Sequence, residues 1–133
     1  MAKHVPRELS EVILPFDWDV TKVWALSTHV ESIPRIELDY LLHLPLWSSR
    51  SGEGMLFDIA PITVISNPET SNYQAQRLAA TNLQHPIDLL DFEGRKWILD
   101  GVHRLAKHYQ EGTSQIDVRI HNEKVIDSIS VGI

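Results

Sequence analysis

The sequence predicts a small α+β domain in which helices pack on a mixed β-sheet. Three patterns in the second half of the chain carry this prediction: a hairpin, an amphipathic helix after it, and a strand that alternates apolar with polar residues. The hairpin consists of residues 87–92 and 95–99, two strand-like runs joined by Glu93-Gly94. Such a two-residue connection is typical of tight hairpin turns.

The predicted helix and the last strand follow the hairpin directly. The apolar residues that recur at positions i, i+3, i+4 and i+7 are Val102, Leu105, Ala106 and Tyr109. Gly112 is well placed to end this helix in the left-handed conformation. Residues 116–120 then alternate, as in a strand with one buried face. Residues 123–129 are expected to form a short closing helix.

The first half of the chain is less regular. Residues 1–20 are expected to form an irregular arm, and residues 22–26 have the composition of a strand. Leucines at helical spacing after Pro34 predict a helix over residues 35–43. Residues 48–54, which are rich in serine and glycine, form the clearest loop of the sequence.

Between this loop and the hairpin the pattern favours helices. Residues 61–65 fit either a short helix or a strand. Asn67 is a candidate cap for the segment that follows it. A helix is expected over residues 71–83, and Pro86 ends it because the residue before a proline is driven toward an extended backbone.

Composition and charge exclude several classes of function. The chain has 133 residues, a formal net charge of −6 and no cysteine. The absence of cysteine excludes disulfides, thiolate catalysis and cysteine-ligated zinc, and it favours an intracellular setting. The 12 Lys and Arg residues are spread along the chain, which disfavours a nucleic-acid partner. The chain has neither a signal-peptide pattern nor a long apolar run, so we expect a cytoplasmic protein without a membrane partner.

The predicted junction between the hairpin and the helix after it has the composition of an anion-binding turn. The residues there are Asp100, Gly101, Val102, His103 and Arg104. The first turn of a helix has free backbone N–H groups and the positive end of the helix dipole. Gly101 lets a ligand approach the backbone closely, Arg104 can hold two phosphate oxygens, and His103 can donate a hydrogen bond. The helical periodicity turns His103, Arg104, Lys107 and His108 away from the core.

The same residues also have an ordinary structural interpretation. Aspartate is a common N-cap, glycine is common in tight turns, and a His-Arg pair on a helix is often only a solvated face. Short motifs of this kind match by chance in many proteins. Residue patterns alone therefore leave both interpretations open.

The segment Ile98-Leu-Asp-Gly-Val-His-Arg-Leu-Ala106 resembles the signature of the ParB/sulfiredoxin superfamily. The resemblance covers about residues 72–122, the best-supported core of a single domain that we expect to span residues 1–133. It implies a strand, a glycine turn and a helix that contacts nucleotide phosphates. It thereby implies a ligand such as ATP, ADP or another nucleotide with Mg²⁺, bound by Gly101, Val102, His103, Arg104 and Lys107.

Two departures narrow what the resemblance implies. Sulfiredoxins need a cysteine where this chain has Val102, so that activity is excluded. Partitioning ParB proteins carry a helix-turn-helix domain after this one, whereas this sequence stops at Ile133, which argues against a DNA clamp. The motif of this chain is more similar to that of superfamily members with the sequence Asp-Gly-X-His-Arg. These include free-serine kinases and nucleotide-hydrolysing components of phage-defence systems.

In the serine-kinase branch the motif aspartate assists catalysis and an acidic residue nearer the N-terminus acts as base. Asp100 matches the first role, and Glu37 is the candidate for the second, with Glu31 and Asp39 as competitors. We therefore expect a nucleotide- or phosphate-binding domain in which phosphoryl transfer or nucleotide hydrolysis is the natural chemistry. The alternative is a non-catalytic interaction or regulatory module that keeps the fold. Whether the protein is an enzyme is left open.

The histidines and tryptophans are further candidates for metal binding and for stacking on a base. None of the seven histidines forms the i, i+4 pair of a helical zinc site, so we expect no protein-only metal site. Trp97 alternates into a predicted strand and is expected in the core. Trp18 and Trp47 adjoin irregular segments, where each is either buried or free to stack on a base.

Overall fold

The structure is a computed structural model that describes Leu14, residues 16–51 and residues 57–131. The α-helices are α1 (Val20–Trp24), α2 (Pro61–Ser66), α3 (Asn72–Ala79), α4 (Val102–Glu111) and α5 (Ile126–Ile129). The strands are β1 (Glu31–Pro34), β2 (Ile87–Phe92), β3 (Arg95–Asp100) and β4 (Gln115–Asn122). Short 3₁₀ segments cover Arg35–Glu37, Asp39–His43, Pro68–Thr70 and Glu123–Val125. The α+β class is confirmed.

The strands form a mixed sheet in the order β1-β4-β2-β3. β2 pairs with β3 antiparallel and with β4 parallel. The predicted hairpin is confirmed, because Glu93 (φ 53°) and Gly94 (φ 79°) form its two-residue turn. Both residues lie in the left-handed region, which matches the right-handed twist of the flanking strands.

The chain divides into two compact units. The first unit contains Met1–Glu31, Pro86–Gly101 and Asp117–Ile133, and the second contains Ser32–His85 and Val102–Ile116. Among the described residues, no helix is both long enough and apolar enough to cross a membrane.

The first unit has its own apolar core beside the hairpin. Buried side chains of β2 and β3 pack there with residues of the N-terminal and C-terminal segments: Leu14, Val23, Leu90, Trp97, Leu99 and Ile129. Trp97 is buried as predicted, and its indole N–H donates to the carbonyl of Phe92 at 2.8 Å. Trp18 packs at the edge of this core and donates to the carbonyl of Leu99 at 2.9 Å.

The second unit is built on α4, which packs against α2 and α3. The buried apolar residues of these three helices are Pro61, Val64, Leu78, Leu105 and Ala106. The predicted end of α4 is confirmed: Gly112 has φ 75°, and the Thr113 N–H donates to the His108 carbonyl at 3.0 Å. A glycine adopts this left-handed conformation without the steric penalty that a Cβ brings.

The prediction of a strand at residues 22–26 is wrong, because the chain there forms helix α1. Asp19 decides this locally: its carboxylate accepts from the Thr21 N–H at 2.9 Å and caps the helix. Val23 is then fully buried in the first-unit core. Tertiary burial of one valine and an N-cap together outweigh the β propensity of the segment.

The helix predicted over residues 35–43 is present as two 3₁₀ segments. Its backbone bonds run from each residue to the third before it, for example Leu41 N–H to Leu38 O at 3.0 Å. A three-residue period aligns Leu38 and Leu41 in one buried row, which explains why the leucine spacing resembled an α-helix. The segment at residues 61–65 is a helix that Pro61 opens.

The helix predicted over residues 71–83 begins at a cap and ends early. Ser71, and not Asn67, provides the capping side chain, which accepts from the Gln74 N–H at 3.2 Å. α3 ends at Ala79, and the Asn82 side chain then accepts from the Gln84 N–H at 2.7 Å. This local bond offers the backbone an alternative to the helix.

Candidate functional site

The predicted motif begins in the first unit, at the end of β3. Asp100 is its last strand residue, and its carboxylate accepts from the Trp24 indole N–H at 2.8 Å. Gly101 follows with φ 126°, and a Cβ there would lie only 3.0 Å from the Ile87 side chain. Only glycine fits this backbone conformation and this close approach. The local structure by itself therefore explains why position 101 is a glycine.

The rest of the motif lies in the second unit, in the first turn of α4. Val102, His103 and Arg104 are all partly exposed there. The backbone N–H groups of a first helical turn have no partner within the helix. This turn therefore has both the donors and the dipole that attract a negative charge.

His103 is held in one orientation by a chain of hydrogen bonds. Its Nε2 lies 2.7 Å from the Oε1 of Gln74, and the Nε2 of Gln74 donates to the Ser48 carbonyl at 2.7 Å. Gln74 is almost completely buried, with 1% of its surface exposed. The helix that carries Gln74 is capped by Ser71, so the cap, the amide and the imidazole are positioned together.

Burial keeps the His103 ring neutral near pH 7. Desolvation by burial and, to a smaller extent, the positive charge of Arg77 together lower the pKa of His103 to about 4. A charged imidazole would lose hydration that its neighbours do not replace. His103 was expected to face away from the core, and its half-buried ring differs from that expectation.

Trp47 covers the His103 ring. The two ring centroids are 4.3 Å apart and the planes differ by 17°, so the rings are stacked. Trp47 is only 5% exposed, and its backbone pairs with that of Ile59. Its indole Nε1 is buried without a hydrogen-bond partner among the residues that the structure describes. A buried donor without an acceptor is rare, because leaving it unpaired costs about 1–3 kcal/mol.

Three cationic residues of the second unit differ in where they lie relative to the first turn of α4. Arg104 is partly exposed in the first turn of α4, and Arg77 is exposed on α3, close enough to His103 to act on its pKa. The guanidinium of Arg77 also donates to the Tyr73 hydroxyl at 3.2 Å. Lys107, which is predicted at the edge of the site, has a structural contact instead: its ammonium group donates to the carbonyls of Ala79 and Thr81, each at 3.0 Å. Lys107 thus stabilises the C-terminal end of α3.

The two predicted catalytic carboxylates lie in different units. Asp100 belongs to the first unit and is bonded to Trp24. Glu37 belongs to the second unit, at the end of the 3₁₀ segment Arg35–Glu37, where it is exposed. Its competitor Asp39 is paired with Arg35 at 3.0 Å.

Three residues of the candidate site were not assigned to it from the sequence: Trp47, Gln74 and Arg77. Gln74 carried the clearest signal, since it stands four residues before Leu78 and so shares the buried face of α3. A polar side chain on an apolar helical stripe needs a partner in the interior. Trp47 was recognised only as an aromatic residue beside a loop, and nothing in the local pattern joins either residue to His103.

The first unit contains a second cluster of buried polar side chains. Asp88 Oδ1 accepts from Arg119 Nε at 2.7 Å and from His121 Nε2 at 2.9 Å. The other two nitrogens of Arg119 donate to the carbonyls of Leu26 and Val23, at 2.7 and 3.0 Å. The Nδ1 of His121 lies 2.6 Å from the Thr28 hydroxyl. Among the described residues, no group of three or more His, Cys, Asp or Glu side chains could hold a metal ion.

Comparison of this chain with family models, with curated proteins and with solved structures finds no match.

Proposed function

We propose that the first turn of α4 binds the phosphate group of a small ligand. The buried indole N–H of Trp47 is the observation that carries this proposal, because it has no acceptor among the described residues. Trp47 stacks on His103, the second residue of α4. A phosphate oxygen at this turn would supply the missing acceptor and would also face the free N–H groups of the helix.

The charges around the turn support a negative ligand. Arg104 stands within the first turn and Arg77 lies near His103 on the neighbouring helix, while His103 itself is neutral near pH 7. Two guanidinium groups and a helix N-terminus favour phosphate over a neutral ligand. The net charge of −6 does not oppose this, since a single helix terminus attracts an anion locally.

The nature of the ligand rests on the resemblance of the motif to the ParB/sulfiredoxin superfamily. On that basis we propose a nucleotide, ATP or ADP with Mg²⁺, as the leading ligand. The catalytic form of the proposal adds phosphoryl transfer or nucleotide hydrolysis at this turn. The binding form needs only the turn, Trp47 and the two arginines, and it survives if no product forms.

Ligand-dependent stability tests the binding form. Thermal unfolding would be followed with ATP, ADP, CTP and inorganic phosphate, each with and without Mg²⁺. A ligand at 100 times its Kd should stabilise the protein by about 2.7 kcal/mol. Arg104→Gln should weaken binding by about tenfold or more, because a charge-assisted hydrogen bond is worth about 1.5–3 kcal/mol.

Lys124→Gln is the matched control, since Lys124 is exposed in a different unit and its replacement removes the same charge. It should leave the ligand response unchanged. The absence of any shift at millimolar ligand in the unmodified protein would sink the proposal. Equal weakening in Arg104→Gln and Lys124→Gln would reduce it to unspecific attraction of anions.

A further inference from the structure

The hydrogen bonds of Gln74 fix which nitrogen of His103 carries the proton. The Ser48 carbonyl can only accept, so it must receive the amide N–H of Gln74, at 2.7 Å. The amide oxygen then faces His103 Nε2, also at 2.7 Å. Because that oxygen can only accept, Nε2 must carry a hydrogen and donate.

The other ring nitrogen, Nδ1, is consequently an acceptor in the neutral ring. Nδ1 makes no hydrogen bond among the residues that the structure describes. It is also absent from the fully buried atoms of those residues that have no partner. Nδ1 is bonded directly to Cγ, so it is the ring nitrogen closer to the backbone of the first turn of α4. Burial supports the neutral form, because it lowers the pKa of His103 to about 4.

Two stacked rings thus present one donor and one acceptor. Among the residues that the structure describes, the buried N–H of Trp47 has no acceptor and Nδ1 of His103 has no donor. Neither atom can satisfy the other in a stack whose planes differ by only 17°, since both hydrogen-bonding directions lie in the ring planes. A ligand that satisfies both must bring an acceptor oxygen and a hydrogen of its own.

We propose that this site selects a protonated terminal phosphate, such as hydrogen phosphate or a phosphomonoester monoanion, through acceptance of the P–OH hydrogen by His103 Nδ1. The inference rests on the proposed phosphate-binding function and names the ligand form that the site takes. A fully ionised sulfate and a phosphodiester carry no such hydrogen. Both leave Nδ1 without a donor and place an anionic oxygen against its lone pair.

The charged and titratable groups near His103 do not replace that hydrogen. On α4 itself Arg104 and Lys107 are the nearest in sequence, and α2 carries no titratable side chain. α3 carries Tyr73 and Arg77, and of these Arg77 acts on His103. The 3₁₀ segments that pack on α4 carry Arg35, Glu37, Asp39, Tyr40 and His43.

Calorimetric titration with inorganic phosphate, sulfate and dimethyl phosphate at about pH 6 tests the inference. His103 is neutral at this pH, inorganic phosphate carries at least one hydrogen there, and a terminal phosphate of a nucleotide is still partly protonated, because its second ionisation lies near about pH 6. Phosphate should bind about tenfold or more tightly than either other anion, which is the range expected when one buried polar group is left unpaired. The preference for inorganic phosphate should persist near about pH 8, because hydrogen phosphate still carries one hydrogen there, whereas ADP, whose terminal phosphate has then lost its only hydrogen, should bind less tightly than at about pH 6. A parallel arm with ADP distinguishes free phosphate from a nucleotide as its source.

Gln74→Glu should reverse the preference. A carboxylate beside His103 Nε2 favours the charged imidazole, whose Nδ1 then donates and suits sulfate. Gln76→Glu is the matched control, because Gln76 is exposed on the same helix. Nitrogen-15 NMR of the unmodified protein, which shows whether Nε2 alone is protonated, gives a second measurement if Gln74→Glu does not fold.

The outcomes separate the two proposals. Equal binding of phosphate, sulfate and dimethyl phosphate would overturn the selectivity and leave the phosphate site in place. Protonation of Nδ1 in the neutral ring would overturn the selectivity as well. Failure of every anion and of ADP to bind would overturn both proposals together.

Discussion

Each unit of the molecule has a histidine hydrogen-bonded to a buried polar side chain, His121 in the first and the half-buried His103 in the second, and the two sites differ in how completely their hydrogen bonds are made. In the first unit, both ring nitrogens of His121 have partners, Asp88 on one side and Thr28 on the other. In the second unit, within the described part of the chain, His103 uses one ring nitrogen, and the indole N–H of Trp47, which stacks on it, has no partner.

The first-unit cluster is closed by its own hydrogen bonds. The Asp88 cluster ties the carbonyls of Val23 and Leu26 to the sheet through Arg119, and each nitrogen of that guanidinium is bonded. A network in which every polar group is satisfied stabilises one conformation. The His103 cluster contains a donor and an acceptor that have no partner among the described residues, as the proposed binding of a ligand would require.

Removal of the charge at the centre of the first-unit cluster should have the largest effect. Asp88→Ala leaves the Arg119 guanidinium and His121 buried without their acceptor, and we expect the free energy of unfolding to fall by about 3–5 kcal/mol. Asp91→Ala on the same strand is the control, since Asp91 is exposed and its loss should change stability by less than about 0.5 kcal/mol. Urea unfolding measures both, and equal losses would contradict the contrast between the clusters.

The second-unit cluster should make the free energy of unfolding depend on pH. His103 has a pKa of about 4 in the folded chain and 6.5 as its ordinary value. As the pH falls from about 6.5 to about 4, His103 is protonated in the unfolded chain but stays neutral in the folded chain. The free energy of unfolding therefore falls, by up to about 3 kcal/mol. The effect is absent above this window and constant below it.

The His103 contribution is the difference between the unmodified protein and His103→Gln in urea unfolding over this pH range. His103→Gln should lose less stability toward acid. His29→Gln, at an exposed position, should follow the unmodified protein. Parallel curves for all three proteins would show that His103 is not buried as a neutral group.

The smallest expected effect compares two tryptophans. Trp97→Phe loses a hydrogen bond to the Phe92 carbonyl, whereas Trp47→Phe loses an N–H that has no partner among the described residues. Both changes remove the same volume from a buried position, so Trp97→Phe should be more destabilising by about 1–2 kcal/mol. Thermal unfolding of the two variants measures this difference. A greater loss in Trp47→Phe would mean that its indole N–H is satisfied.

Local patterns were enough to predict the second half of the fold. Glu93-Gly94 between two strand-like runs predicts the hairpin, and the spacing of Leu105 and Ala106 predicts the buried face of α4. These features depend on neighbours within a few residues, which the sequence displays directly. Segments with weaker local preferences were predicted less well. The run at residues 22–26 is a helix because of one cap and one buried valine.

The predicted site shows the same division. The sequence by itself determined that a glycine turn precedes a helix whose first turn has His103 and Arg104, and the strand-turn-helix order there is what the structure has. Only the tertiary structure decided that His103 is neutral and that Gln74 fixes its protonated nitrogen. Only the tertiary structure stacked Trp47 on its ring and left the indole N–H without a partner among the described residues. These properties come from residues 29 and 56 positions away along the chain. Desolvation and hydrogen-bond direction depend on such distant neighbours, whereas helical spacing and turn chemistry do not.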